Sequence, residues 1–190
     1  MDNVQDEKIH VQQVLSGDRK AFERLVRQYE ALVLHIVNPM IGNLADREDL
    51  CQEIFIKVYH HLNGFEFRSR LSTWIGTIAC NACINFLQKK RNVPVGDLFR
   101  GSETVLENLS NDLPPNPEDL LIKKQEASFL TTAIEQLPGV QKTVLLLFHH
   151  DDLSLEEIAQ ILGIPVNTVK SHLFRARKSL KSILSRISTS

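Results

Sequence analysis

The sequence predicts an all-α protein made of two small helical domains joined by a flexible linker. Apolar residues recur with helical spacing along most of the 190 residues, and no convincing β-strand pattern interrupts them. Between residues 93 and 117 this periodicity is lost, while glycine, proline and acidic residues accumulate. The chain is therefore divided into a first helical domain at 1–92, a linker at 93–117 and a second helical domain at 118–190.

The first domain is predicted to contain four amphipathic helices, at about residues 7–15, 20–37, 43–61 and 69–90. The first helix breaks at Ser16-Gly17-Asp18. The second is expected to end at Asn38-Pro39, because the residue before a proline is pushed out of the helical conformation. The third begins near Asn43 and carries acids in its first turns, where the helix dipole favours negative charge.

The second domain is predicted to contain helices at about residues 118–136, 138–149, 154–162 and 166–186. Asn116-Pro117 signals the first of them, because a capping side chain followed by proline is typical of a helix start. Ser154 and Glu157 match the capping box that begins the third. Gly163 supplies the left-handed turn that ends it. The last two helices therefore form a predicted helix-turn-helix.

The second helix of this motif has the composition of a DNA-reading helix. It contains no acid and presents Asn167, Thr168, Lys170, Ser171, His172, Phe174, Arg175, Arg177 and Lys178. The first residues of such a helix reach base edges in the major groove, while flanking cations hold phosphates. A plain helical hairpin with a basic outer face is the alternative, and the capping box and the turn glycine favour DNA binding.

Charge is distributed in blocks although the net charge is only −1. Residues 67–96 contain five bases and no acid, and no acid follows Glu157. Residues 93–120 contain one base, Arg100, against six acids. This pattern predicts two basic surfaces joined by an acidic connector, which suits a nucleic-acid binder better than the net charge does.

The fourth helix mixes apolar residues with small polar ones. Thr77, Asn81 and Asn85 follow one another at single-turn spacing, with Trp74 close to that line and Phe67 and Arg68 in the preceding loop. Amides, hydroxyls, aromatics and arginines together suit unstacked single-stranded bases. For Trp74 taken alone, plain core packing is the favoured interpretation.

The third helix carries a compact polar patch. Asp49, Gln52 and Glu53 lie at positions i, i+3 and i+4 and so share one face. Such a patch suits a protein partner with basic or amide groups. Spacing alone favours a plain solvated surface, and this alternative stays open.

Several classes of protein are not indicated. No apolar run reaches the length of about 20 residues that a membrane span needs, and the acidic N-terminus is unlike a signal peptide, so we expect a cytoplasmic protein without membrane insertion. No phosphate-binding glycine loop, zinc-ligand pairing or nucleophile elbow is present, so no enzyme activity, cofactor or metal is expected. Cys80 and Cys83 are interpreted as packing residues rather than a metal or redox site.

Three segments carry a family resemblance. Asp46 to Tyr59 and Phe67 to Arg91 resemble region 2 of bacterial RNA polymerase sigma factors, and Leu137 to Arg177 resembles region 4. The size and the short linker resemble the extracytoplasmic-function (ECF) subfamily of the sigma-70 family. The fold implied is a region 2 domain and a region 4 domain.

The resemblance implies a role for each surface. Asp49, Gln52 and Glu53 would bind the polymerase clamp helices. The −10 promoter element would be bound and melted by Phe67, Arg68, Ser69, Ser72, Thr73, Trp74, Thr77, Asn81, Asn85, Lys90 and Arg91. The −35 element would be read by the nine residues of the helix-turn-helix named above. The region 4 domain would also dock on the polymerase flap, and an anti-sigma factor would hold the protein inactive.

A stand-alone helix-turn-helix regulator that binds duplex DNA without polymerase is the alternative function. His172 stands where many members of the family carry arginine, which implies a weaker or pH-dependent phosphate contact. The run His149-His150-Asp151-Asp152 before the helix-turn-helix is unusual. The sequence does not say whether the two domains are closed together or apart.

Overall fold

A computed structural model describes residues 2–91 and 130–187, with side chains described for 7–89 and 130–186. The described ranges contain α1 Asp2–Leu15, α2 Arg19–Met40, α3 Leu44–His61, a 3-10 turn Leu62–Gly64, α4 Leu71–Arg91, α5 Gly139–His149, α6 Leu155–Leu162 and α7 Val166–Ile187. Residues 130–135 are also helical. No strand occurs in these ranges, and the predicted all-α fold is confirmed. The predicted linker lies outside the described residues.

The helix starts follow local side-chain chemistry. Asp18 caps α2 by accepting hydrogen bonds from the backbone of Lys20 and Ala21 at 2.9 and 3.2 Å. Asn43 caps α3 through the backbone of Asp46 at 3.2 Å. Both capped helices therefore begin close to the starts predicted from the sequence.

The prediction that α2 ends at Asn38-Pro39 is wrong, because the helix continues through Pro39 to Met40. Pro39 lies in the last turn, where the loss of one N–H removes only one hydrogen bond of the helix. Pro39 and Met40 are both buried, so packing of this last turn offsets the local cost. The helix then ends at Ile41, whose backbone N–H still bonds the carbonyl of Val37.

One apolar core runs through both halves of the protein. In the first half it is built from α2, α3 and α4, with Ile36, Ile54 and Ile75 fully buried. In the second half it continues with residues such as Ile158 and Val169. Helix α2 packs against α5, and α4 packs against α6. The two halves are therefore closed against each other in this structure.

None of the helices in the described ranges combines the length and apolarity that a membrane crossing requires.

Candidate nucleic-acid interface

Local hydrogen bonds fix the geometry of the helix-turn-helix. Ser154 Oγ accepts a hydrogen bond from the backbone of Glu157 at 3.2 Å, and Glu157 Oε2 accepts one from the backbone of Ser154 at 2.9 Å. Gly163 has φ +65°, the left-handed conformation that lets α6 end in a tight turn. The predicted capping box and turn glycine are both confirmed.

The buried side of this motif orients the exposed side. Val169, Leu173 and Ala176 of α7 are buried against the core. The opposite face of α7 leaves seven predicted DNA-binding residues exposed: Asn167, Lys170, Ser171, Phe174, Arg175, Arg177 and Lys178. Phe174 is 69% exposed, which is unusual for a large apolar side chain. This surface is free to approach a groove of duplex DNA.

His172 differs from its neighbours on α7. It is half-buried, and its Nδ1 atom has no hydrogen-bond partner among the described residues. Burial lowers the pKa of His172, and the positive charge of Arg175 lowers it further. The imidazole is therefore neutral near neutral pH, and the weaker phosphate contact expected at this position stays a prediction.

The side chain of Arg177 is held in position by residues of α5. Its Nε and Nη2 atoms lie 3.3 and 3.0 Å from Nε2 of His149, and its guanidinium lies 5.3 Å from the centre of the Phe148 ring. These contacts direct the guanidinium along one side of the motif. Such a fixed cation suits a phosphate better than a base edge.

The loop before α4 forms an aromatic cluster. The Phe65 ring centre is 4.6 Å from that of Phe67 and 5.2 Å from that of Trp74. Phe67 has φ +57°, a left-handed conformation that is uncommon for a residue with a side chain. Lys8 from α1 lies 5.5 Å from the Phe67 ring centre. The half-buried Phe67 and Trp74 retain ring surface on which bases can stack.

The other predicted −10 residues differ in their exposure. Arg68, Asn81 and Asn85 are exposed, and Arg68 Nε lies 2.7 Å from Oε2 of Glu66. Ser69, Ser72 and Thr77 are half-buried. The hydroxyl of Thr77 bonds the carbonyl of Thr73 at 2.8 Å, whereas the buried hydroxyl of Ser72 has no partner among the described residues. Lys90 and Arg91 lie beyond the described side chains.

Thr73 lies in the contact between the two domains. Its side chain is fully buried, and Oγ1 donates a hydrogen bond to Oε1 of Glu157 at 3.1 Å. Arg70 Nη1 lies 3.7 Å from the same oxygen. Thr73 can therefore contact DNA only after α6 moves away from α4.

Glu157 links the helix cap to the domain contact. Burial raises its pKa, but the hydrogen bonds from Ser154 and Thr73 and the charge of Arg70 outweigh this and leave the pKa below the ordinary value. Because the folded pKa is lowered, the stabilisation from this carboxylate is present above its unfolded pKa and is lost as pH falls through the folded value. The domain contact is therefore weakened in acid.

Close approach of α4 and α6 depends on Gly76. A Cβ atom at this position would lie 2.7 Å from Cδ1 of Ile161. Neither Gly76 nor Ile161 was predicted from the sequence to belong to a functional surface. A glycine within a predicted helix is a signal that could have drawn attention to Gly76, since such a residue often marks close packing.

The polar patch of α3 is exposed as expected. Asp49, Gln52 and Glu53 all face solvent, and Glu53 Oε1 pairs with Lys57 Nζ at 2.7 Å. Gln52 also lines a cavity of about 420 Å³ between α2 and α3. Ile56, on the same cavity, is 56% exposed. The patch thus borders an apolar surface that a protein partner could cover and that the sequence pattern did not predict.

The cysteines pack in the core. Cys80 and Cys83 are buried and unbonded, and burial raises the pKa of Cys80 to about 12 and that of Cys83 well above its usual range. Protonated, buried thiols are poor metal ligands and poor nucleophiles. These features support the interpretation of both as packing residues.

Comparison with known proteins gives matches to both halves of the chain. A family profile described as Sigma-70 region 2 matches residues 25–93, and one described as Sigma-70, region 4 matches residues 130–180. The ECF RNA polymerase sigma factor SigW of Bacillus subtilis (strain 168) is 33% identical over 179 residues, covering 93% of this chain and 96% of that protein. The ECF RNA polymerase sigma-E factor of Escherichia coli (strain K12) is 34% identical over 181 residues, covering 92% of each.

Solved structures agree at the level of the fold. The sigma factor RpoE in complex with the anti-sigma factor NepR from Bartonella quintana aligns with a TM-score of 0.61 at 24% identity, covering 87% of this chain and 98% of that one. CnrH in complex with the cytosolic domain of CnrY aligns with a TM-score of 0.58 at 21% identity, covering 94% and 96%.

Proposed function

Because the chain belongs to the ECF sigma factors of the sigma-70 family, we propose that its exposed helical surfaces divide the work of promoter recognition. The chain binds core RNA polymerase and directs promoter-specific transcription initiation. It acts as a non-enzymatic initiation factor in the cytoplasm. The matches to both sigma regions favour this function over a stand-alone helix-turn-helix regulator.

The −35 element is assigned to α7. The observation that carries this assignment is the exposed, acid-free face of α7, oriented by the capped helix α6 and the turn at Gly163. Lys170 and Arg175 are long cations near the start of this face, where bidentate contacts to guanine are made. Phe174 supplies apolar surface for a thymine methyl group. Arg177 and Lys178 lie further along and bind phosphates.

The −10 element is assigned to α4 and the loop before it. Asn81 and Asn85 are exposed one turn apart, so both amides can bond base edges of an opened strand. The cluster of Phe65, Phe67 and Trp74 lies at the start of the helix and offers ring surface for an unstacked base. Arg68 adds a cation for the backbone, and Lys90 and Arg91, whose side chains lie outside the described residues, are assigned to the same element from the sequence.

Binding of core polymerase is assigned to the polar patch of α3. Asp49, Gln52 and Glu53 are exposed on one face, beside the apolar surface that includes Ile56. An anti-sigma factor is a second partner, and the structure of RpoE with the anti-sigma factor NepR from Bartonella quintana supports this. Such a partner competes with polymerase if it covers α3.

Binding to the promoter requires the closed arrangement to open. Helix α6 covers part of α4, and Thr73 is fully buried by the contact. The closed protein is therefore a weak binder of the −10 element, and core polymerase, by holding the two domains at separate places, exposes the part of α4 that α6 covers.

Run-off transcription with purified core polymerase across a genomic library tests this function. Start sites that appear only with the chain, and that share −10 and −35 sequences, are expected. Gel-shift measurements on the same promoters, with and without core polymerase, supply the comparison with a stand-alone regulator. Tight, specific duplex binding by the isolated chain, with no polymerase-dependent start sites, would contradict the proposal.

A further inference from the structure

Three potential metal ligands meet where the two domains touch, and promoter recognition uses none of them. His35 lies on α2, whereas His150 and Asp151 follow α5, Asp151 lying 116 positions further along the chain than His35. Nδ1 of His35 is 2.8 Å from Oδ2 of Asp151, and Nδ1 of His150 is 3.5 Å from Oδ1 of Asp151. One ligand atom from each of the three side chains lies within 4.8 Å of the other two.

This donor set matches the coordination chemistry of zinc. Imidazole nitrogens and carboxylate oxygens bind Zn²⁺ at about 2.0–2.2 Å in tetrahedral sites. Ligand atoms around such an ion lie roughly 3.3 Å apart, so the observed spacing requires only small movements of the side chains. Three protein ligands leave the fourth position to water, as in zinc sites that remain open.

The cluster is held in place and is still accessible. The backbone N–H groups of His150 and Asp151 both bond the carbonyl of Leu146, at 2.8 and 3.2 Å, which fixes the turn that carries them. The side chain of Asp151 is 11% exposed and that of His150 is 61% exposed. His35 and His150 also line a cavity of about 340 Å³ between the domains. An ion can therefore enter from solvent toward a carboxylate that is already oriented.

We propose that His35, His150 and Asp151 bind a divalent transition-metal ion of the zinc class that is shared by the two domains. The ligands from the two domains come together only in the closed arrangement, so all three can bind the ion only in that form. A ligand that binds one arrangement shifts the population toward it by mass action. The ion therefore stabilises the form in which Thr73 is buried. This consequence for promoter binding rests on the proposed function, whereas the binding of the ion does not.

Metal binding is tested on the full chain after removal of metal by chelation. Zn²⁺ is titrated in competition with a chromophoric chelator, and one ion per chain is expected. His35→Gln and His150→Gln should each weaken binding at least about tenfold. His61→Gln, at an exposed histidine at the end of α3, is the matched control and should leave the affinity unchanged. Circular dichroism of each variant verifies that the fold is retained.

Closure is tested by a second measurement. Zn²⁺ should raise the Tm of the full chain and reduce its radius of gyration in small-angle scattering, and Asp151→Asn should remove both shifts. No Zn²⁺ binding, or equal binding by the wild type and both histidine variants, overturns the metal site and leaves a plain hydrogen-bonded contact. Histidine-dependent binding without compaction overturns the role in closure. Neither measurement uses transcription, so a failed metal site is distinguishable from a failed assignment of function.

Discussion

Thr73 Oγ1 donates a hydrogen bond of 3.1 Å to Glu157 Oε1, joining residues that are 84 positions apart. Thr73 belongs to the helix assigned to the −10 element, and Glu157 is part of the capping box that begins the first helix of the helix-turn-helix. A residue expected to contact DNA is thus buried by the domain to which the −35 element is assigned. Under the proposed assignment, promoter contact by Thr73 and closure of the two domains are therefore mutually exclusive.

Thr73→Val removes this hydrogen bond while keeping the shape of the side chain. We expect the closed form to lose about 0.5–1.5 kcal/mol, so the radius of gyration of the free protein should increase. Small-angle scattering measures this change. Thr77→Val is the matched control, because the Thr77 hydroxyl bonds only the carbonyl of Thr73 within α4 in the described structure. Equal compactness of Thr73→Val and wild type would contradict the prediction.

Gly76→Val should separate α4 from α6. The added atoms meet Ile161, whose Cδ1 would lie 2.7 Å from the new Cβ, and overpacking of this kind costs about 1–3 kcal/mol. Scattering should show a more extended protein, and Ile161→Ala combined with Gly76→Val should restore compactness. Gly64→Val is the control, because nothing lies within 4 Å of a Cβ at that position. A compact Gly76→Val protein would refute the close-packing argument.

Asn81→Ala combined with Asn85→Ala should impair promoter opening more than polymerase binding. Both amides are exposed on α4, where they can bond unpaired bases but stabilise no part of the described core. Permanganate reactivity of thymines in the −10 region measures opening, and co-purification with core polymerase measures binding. Unchanged permanganate reactivity would remove these two residues from the −10 surface.

Arg175→Ala should weaken −35 recognition by about 1–3 kcal/mol if the guanidinium makes a bidentate contact to a base. The side chain is exposed on the outer face of α7, so the substitution leaves the core intact. Transcription from a panel of −35 variants measures the change in specificity. Lys181→Ala, further along the same helix, is the control for loss of a positive charge. A −35 mutational profile identical to wild type would argue against a base contact.

Asp49→Arg should reduce association with core polymerase. The substitution reverses one charge in an exposed patch that also contains Gln52 and Glu53, so a basic partner surface would be repelled. Co-purification with core polymerase measures the effect. Gln12→Arg, at an exposed position of α1, controls for an added surface charge. Undiminished co-purification would refute the assignment of this patch.

The sequence by itself determined the helices and the local form of the DNA-binding motif. The Ser154–Glu157 capping box and the turn at Gly163 are formed by residues a few positions apart, so their spacing is visible in the chain. The exposed face of α7 follows in the same way, because helical periodicity separates buried from exposed positions. The end of α2 was the exception, since burial of Pro39 and Met40 outweighed a local signal.

Only the tertiary structure decided how the two domains meet. The contacts Thr73–Glu157, Gly76–Ile161 and His35–Asp151 join residues that are far apart in the sequence. Contacts of this kind leave no periodic pattern, and each residue taken alone fits several roles. The burial of Thr73 and the meeting of two histidines with Asp151 therefore became visible only when α4 was packed against α6 and α2 against α5.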